Sequence, residues 1–294
     1  MTTIKKPAVI GVLGLGSMGS GIAADLKRSG FDVVSALEGR SERTRARAEK
    51  AGIRVLANLA EVVRAADTFL SVVPSDQAEP LADAVAKALG ARTSNQPLHY
   101  VDCNSITPSR SARIGARVTA AGATFSDGGI IGPPPGGRAK TRLYVSGPAS
   151  AVLTALQSEQ MPVIRLGDGL TQATEMKVLF AAANKGATAL LANVLAAAKQ
   201  VGLLDRVIGE IDGARPGLLQ CVRSSAPDLD DKAARWAIEM EDLAQGLAEM
   251  HCHSGYHKAA AESYRRLAAN LEGAPAGTDP LARVLTAWAG EKMG

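Results

Sequence analysis

Aromatic residues make up only 3% of this chain of 294 residues, although 46% of it is hydrophobic. A core short of rings has to be filled by Ala, Leu and Val, which suits close-packed helices. Cysteine is equally scarce: Cys103, Cys221 and Cys252 are odd in number, scattered and without CxxC spacing. That pattern excludes a disulfide framework and is the pattern of a reducing, cytoplasmic compartment. No excess of one charge is present either, because the formal charge is +4 and the basic residues are mixed with acids. This excludes a dedicated nucleic-acid or membrane surface. The N-terminal MTTIKKPAVIGVLGLG has an apolar run that dissolves into glycines. No later run reaches the ~18 apolar residues of a membrane span, so no membrane association is expected. There is no internal repeat, and the length suits two domains at ~100 to 200 residues each.

What is present begins at Ile10. The branched run Ala8 to Leu13 leads into Gly14, Gly16 and Gly19 and then into a helical pattern, which is GxGxxG between a strand and a helix. Gly14 permits the tight turn, Gly16 lets a pyrophosphate approach the backbone, and Gly19 lets the helix pack on the strand. Leu15, Ser17 and Met18 complete this turn, and the N–H groups of the helix opening near Met18 favour an anion. After the second strand, Asp32 to Leu37, Glu38 stands where an acid selects NAD. Arg40, Ser41 and Arg43 stand where side chains hold a 2′-phosphate. With three phosphate-competent side chains against one acid, NADP is the expected cofactor and NAD the alternative.

The alternation of strand and helix continues through strands at Arg54 to Leu56, Thr68 to Val73 and His99 to Val101. Val73 and Pro74 are expected at the carboxyl edge of the sheet, where cofactors sit in doubly wound folds. DCNSITPSR, from Asp102 to Arg110, reads as another strand-to-helix turn with Pro108 in the first helical turn. A strand from Ala123 to Asp127 precedes GGIIGPPPGGR, whose Gly and Pro content predicts a shaped loop from Gly128 to Arg138 facing substrate. Strands at Arg142 to Val145 and Pro162 to Leu166 flank a helix predicted from Ala149 to Ser158. Near residue 167 the pattern changes. Leu170 to Val201 reads as one long Ala- and Leu-rich helix, and helical periodicity continues to the end, with a seam at Met240, Leu243, Leu247 and Met250. The expected fold is therefore an α/β Rossmann domain over residues 1–167 and an all-α domain over 168–294. A connector is expected from Gly273 to Pro280.

GLGSMGSGIA, DCNSITP, the Gly-rich stretch after the next strand and a lone Lys177 on the long helix together resemble the β-hydroxyacid dehydrogenase superfamily. That group includes 3-hydroxyisobutyrate dehydrogenase and the N-terminal part of 6-phosphogluconate dehydrogenase. KVLFAAANKG, RWAIEME and GYHKAAAESY resemble its branch with a short C-terminal helical domain. The resemblance implies an NAD(P)-dependent oxidoreductase acting on a small-molecule substrate, usually a homodimer, with its active site in a cleft between domains. It further implies pyrophosphate binding at Gly14, Gly16 and Gly19, and Asn104 as a catalytic residue near the nicotinamide, orienting the reacting end of the substrate. Lys177 would be the acid/base, with Met176, Val178, Leu179 and Phe180 as apolar surroundings.

Two positions depart from the family pattern. Ile131 stands where a Ser of the Gly-rich loop helps hold a substrate carboxylate, and Ala181 stands where an Asn follows the lysine by one turn. Gly128, Gly129, Ile131 and Gly132 are expected to shape the substrate site, with Asn184, two turns beyond Lys177, and His257 as further contacts. HCHSGYH, from His251 to His257, lacks a second ligand cluster, so no metal is expected. Glu239 and Glu241 receive no assignment. Imine reduction on the same scaffold, or cofactor binding without turnover in a sensor, are the alternative functions.

Overall fold

The computed structural model describes residues 9–94, 96–137, 139–272 and 279–290. The chain divides into two compact units, Met1–Lys177 and Val178–Gly294. The division falls inside the long helix, ten residues beyond the change of pattern in the sequence.

The first unit is built on β1 (Val9–Leu13), α1 (Ser17–Arg28), β2 (Asp32–Ala36), α2 (Glu42–Lys50), β3 (Arg54–Leu56), α3 (Leu59–Ala65) and β4 (Thr68–Ser71). It continues with α4 (Ala78–Leu89), β5 (His99–Asp102), α5 (Pro108–Ala120), β6 (Thr124–Ile131), β7 (Arg142–Ser146) and β8 (Val163–Gly167). Among the described residues the strands form one sheet in the order β3-β2-β1-β4-β5-β6-β7-β8. All neighbours run parallel except β6 and β7. The order reverses between β1 and β4, and the chain leaves both strands at the same edge; that crevice is where a doubly wound sheet takes its ligand. Ile10, Val12, Leu70 and Val101 are buried, as strands covered on both faces require. Helix starts follow local chemistry: the Asn58 side chain accepts from the Glu61 N–H, and Pro108 opens α5.

Two expectations are corrected here. Gly128, Gly129, Ile130 and Ile131 are not loop but the second half of β6. The first half of β6 pairs with β5 in parallel, and the second half pairs with β7 antiparallel, Gly128 opposite Val145 and Gly129 opposite Tyr144. Ladder bonds thus hold the glycines extended. A Cβ on Gly128 would lie 2.7 Å from the Cys103 Sγ, and one on Gly129 only 2.3 Å from the Ala173 carbonyl oxygen. Close approach, not turning, is what requires glycine at these two positions. Gly132 does turn, at φ +118°; Arg138 lies outside the described residues. The helix expected from Ala149 to Ser158 is a 3-10 segment, Ser150–Leu156, with the Ser150 hydroxyl bonded to the Gly147 carbonyl at 2.6 Å.

α6 (Gln172–Gln200) carries the chain into the second unit, followed by α7 (Leu204–Ala214), α8 (Gln220–Ser225), α9 (Leu229–Glu249), α10 (Gly255–Leu271) and α11 (Pro280–Ala289). The core of this unit is Ala- and Leu-rich, and its few rings cluster. Trp236 and Trp288 each meet Tyr264 edge-on at 5.4 Å between centroids. Met240, Leu243 and Leu247 are buried in that core along α9. By length and composition α6 is apolar enough to cross a membrane; the reading that no stretch is long enough is corrected. Leu191, Ala192, Leu195 and Ala196 on one side of α6 are nevertheless buried in the helical core. Residues 273–278 of the expected connector lie outside the described residues, and Asp279 caps α11 through the N–H groups of Leu281 and Ala282.

Candidate cofactor and proton-transfer site

The glycine turn between β1 and α1 meets each demand read from its sequence. Gly14 has φ +94°, and a Cβ there would lie 2.1 Å from the Val72 carbonyl oxygen. A Cβ on Gly19 would lie 2.1 Å from the Gly14 carbonyl oxygen. Gly16, by contrast, is exposed and has nothing within 4 Å of its Cβ position. That open space lies at the start of α1, whose first turn has no acid and no side-chain cap. Unmet N–H groups facing an unobstructed glycine fit a pyrophosphate. Leu15 is buried beneath the turn, whereas Ser17 is exposed. Met18 packs against the core from a partly buried position.

Arg40, Ser41 and Arg43 are exposed at the carboxyl end of β2, as is Glu38. The Ser41 hydroxyl caps α2 and lies 3.2 Å from the Thr44 hydroxyl. Arg45, which the sequence reading passed over, donates to the Leu37 carbonyl at 3.1 Å and stiffens the same corner. A cap hydroxyl among guanidinium groups at a helix N-terminus suits a phosphate.

Around β4 and β5 the polar groups are buried and bonded across elements. Asn104 is 2% exposed. Its Oδ1 accepts from the Val73 N–H at 2.7 Å and its Nδ2 donates to the Ser71 hydroxyl at 2.8 Å. Its amide thus ties the end of β4 to the turn after β5, and it meets Lys177 through its main-chain carbonyl instead. The Lys177 Nζ donates to the Asn104 carbonyl at 3.1 Å and to the Cys103 carbonyl at 3.5 Å. Contacts therefore run from Gly14 through Val72, Val73 and Asn104 to Lys177. Exposed Pro74 follows at the same edge. Of the apolar surroundings expected for Lys177, Val178 is buried and Met176 partly so, but Leu179 and Phe180 are corrected to 48% and 44% exposed, and main-chain carbonyls face the ammonium.

Two buried aspartates, unassigned by the sequence reading, complete this edge. Asp127 Oδ1 accepts from the Ser111 hydroxyl at 2.9 Å and from the Thr174 hydroxyl at 2.6 Å. Its Oδ2 accepts from the Thr174 N–H at 2.6 Å. The Ser146 hydroxyl takes the Ala173 N–H at 3.0 Å. Together they hold the first turn of α6, and so Lys177 one turn later. Burial raises the Asp127 carboxyl above its ordinary value against these bonds. Asp102, opposite Asp127 in the strand register, is pushed up to about 7, chiefly by burial and further by Asp127, while the Asn104 N–H and Lys177 act downward. A lone acid at the carboxyl end of the buried strand β5 is the sequence signal that marks Asp102; Asp127, midway along β6, has no such signal.

The second unit holds the remaining expected contacts. Asn184 is exposed on α6. The His257 Nε2 lies 3.3 Å from the Ala182 carbonyl, and its ring meets Tyr256 edge-on. Glu239 pairs with Lys185 and, at 3.6 Å, with Arg235, while Glu241 pairs with Arg265. No cluster of three or more potential metal ligands occurs among the described residues.

Residues 9–158 match the family described as the NAD binding domain of 6-phosphogluconate dehydrogenase, and residues 198–267 match a domain family of unknown function. An uncharacterised 28.5 kDa protein of Methanothermus fervidus is 27% identical over 68% of this chain and 74% of its own length. Among solved structures, 3-hydroxyisobutyrate dehydrogenase of Mycobacterium tuberculosis with L-serine is 19% identical, covers 95% of this chain and 98% of its own, and has a TM-score of 0.73. The imine reductase from Myxococcus stipitatus, solved with NAD+, is 20% identical, covers 96% of this chain and 100% of its own, and has a TM-score of 0.56. At these identities the structural likeness is one of fold.

Proposed function

Because the chain belongs to the family of the NAD binding domain of 6-phosphogluconate dehydrogenase, and so carries a nicotinamide-dinucleotide-binding domain, we propose that it is an NADP-preferring oxidoreductase. It acts on the hydroxyl or carbonyl group of a small substrate. The observation that carries this reading is the Lys177 ammonium, held by the Asn104 and Cys103 carbonyls at the carboxyl edge of β5, in line with the glycine turn. Bound nicotinamide would take or give the hydride at the substrate carbon. Lys177 handles the proton: its neutral amine accepts the hydroxyl proton as a carbonyl forms, and its ammonium returns that proton in reduction. Asn104 serves as a strut for Lys177 and for the backbone of Val73. Gly16, Ser17 and the first turn of α1 take the pyrophosphate, and Arg40, Ser41 and Arg43 take the 2′-phosphate. Gly132, Ile131, Asn184 and His257 remain the proposed substrate contacts. Gly128 and Gly129 support them by admitting the Cys103 side chain and the Ala173 carbonyl.

Imine reduction is the second reading, favoured by the engagement of the Asn104 amide with Val73 and Ser71 and by Ala181 one turn after the lysine. Lys177→Met separates the two. Assayed with NADPH against keto acids, ketones and cyclic imines, the wild type is expected to reduce a carbonyl compound. The variant is expected to lose about 10²- to 10⁴-fold in turnover while binding NADPH unchanged. Equal turnover by the variant, or turnover of imines alone, overturns the Lys177 assignment.

The working form is proposed to be a cytoplasmic homodimer. Phe180, Ala183, Ala187, Leu190, Val194, Ala197 and Val201 recur at alternating three- and four-residue spacing along α6, and all but the partly buried Ala187 are exposed. That spacing is a helix-pairing seam, and a second copy of α6 is its natural cover. Leu190→Glu is expected to convert a dimer to monomer in sedimentation velocity; an unchanged mass contradicts the seam.

A further inference from the structure

The Cys103–Asn104 peptide group has a charged side chain at each end. Its N–H donates to the Asp102 Oδ1 at 2.9 Å, and its carbonyl accepts from the Lys177 ammonium at 3.5 Å. A peptide unit carries a dipole of about 3.5 D with its positive end at the N–H, so both charges meet the end that stabilises them. We infer that Asp102 and Lys177 form a charge pair bridged by this peptide, and that Asp102 is the positioning residue that sets when Lys177 holds its proton. The pair stands on the geometry of the first unit; its meaning for turnover rests on the proposed role of Lys177.

Every element packed around Asp102 supports this division of labour. Asp127 faces it from β6, but the Asp127 carboxylate is bonded to the Ser111 hydroxyl and to the hydroxyl and N–H of Thr174. These bonds favour the charged form of Asp127, against the burial that raises it. Asp102 has one N–H donor on Oδ1, and among the described residues its buried Oδ2 has no hydrogen-bond partner. Of two buried carboxylates on adjacent strands, it is the one that takes up a proton near neutrality. The other titratable neighbours are Tyr100 and Cys103, both held protonated by burial, their ionisation further opposed by the Asp102 charge. On β4 the register partner of Asp102 is Ser71, whose hydroxyl does not titrate. Lys177 is left as the cation whose titration follows the charge on Asp102. An ionised Asp102 holds the proton on the ammonium, and a protonated Asp102 loosens it.

The pairing is read directly, without substrate, from the Cε and Nζ resonances of 13C,15N-lysine-labelled full-length protein, with Lys177 assigned by its loss in Lys177→Arg. In the wild type the Lys177 signal is expected to move in two steps, one near pH 7 and one at its own deprotonation. In Asp102→Asn the first step disappears and the second moves down by about 1 pH unit. In Asp127→Asn the first step persists at lower pH, because the like charge that raises Asp102 is gone. A single step in the wild type, or an unchanged second step in Asp102→Asn, overturns the pair; the wild-type and Asp127→Asn titrations decide the matter even if Asp102→Asn does not fold. Where the two-step titration is present and the pH profile of kcat ignores Asp102→Asn, the pair stands and the acid/base role of Lys177 falls.

Discussion

At the carboxyl edge of the sheet the buried side chains are polar and bonded between distant segments: Asn104 to Ser71 and Val73, Asp127 to Ser111 and Thr174, Ser146 to Ala173. In the helical unit burial falls to Ala, Leu and a trio of rings, and Glu239 and Glu241 make ion pairs at or near the surface. The contrast separates two tasks. A helical core needs only volume and periodicity, whereas an edge that must aim an ammonium has to fix it by directed bonds, each of which is costly to leave unmade in a dry interior.

The strongest way to break the comparison is to crowd the edge. Gly19→Ala places a methyl 2.1 Å from the Gly14 carbonyl oxygen. It is expected to cost about 3 kcal/mol and to abolish NADPH binding, read by urea midpoint and nicotinamide fluorescence. Gly186→Ala, on α6 of the helical unit, meets only the Tyr256 and His257 rings at 3.2 to 3.4 Å and is expected to shift the midpoint far less. Equal effects would erase the difference between the regions.

Deleting one bonded charge from each region gives a smaller test. Asp127→Asn weakens the anchor of the first turn of α6 and is expected to cost about 1.5 to 3 kcal/mol. Arg265→Ala, which removes an exposed pair with Glu241, is expected to stay within about 0.5 kcal/mol.

The remaining effect is one of slope. The Asp102 carboxyl sits at about 7 in the folded chain against an ordinary 3.8. Between those values the folded state holds a proton that the unfolded state has released, so this group's contribution to stability falls as pH rises through that window and is level above it. The difference in unfolding free energy between wild type and Asp102→Asn is therefore expected to change from about pH 4 to pH 7 in favour of the variant, then stop changing. A difference independent of pH would place the Asp102 carboxyl at its ordinary value.

What the sequence made legible follows the same contrast. Gly14, Gly16 and Gly19 can be read because their spacing within one strand-to-helix turn marks them, even though Gly14 also answers to the distant Val72 carbonyl, and α6 because composition alone carries it. Asp127 could not, since its partners are 16 and 47 positions away and nothing local marks a hydroxyl there as a donor. Gly128 and Gly129 read as loop in the sequence for a related reason: glycine usually breaks a strand, yet here a side chain and a carbonyl from other segments demand it within one. The family resemblance points the Asn104 amide toward the reacting atoms, but the buried Val73 N–H and Ser71 hydroxyl hold it.

The most direct measurement is a titration of the purified protein with NADPH and with NADH, followed by nicotinamide fluorescence. The account predicts saturable binding of NADPH, with NADH at least about 10-fold weaker through the loss of charge-assisted contacts to Arg40, Ser41 and Arg43. Stronger binding of NADH would move the selecting role to Glu38, and binding of neither would contradict the reading of the crevice that opens at Gly16.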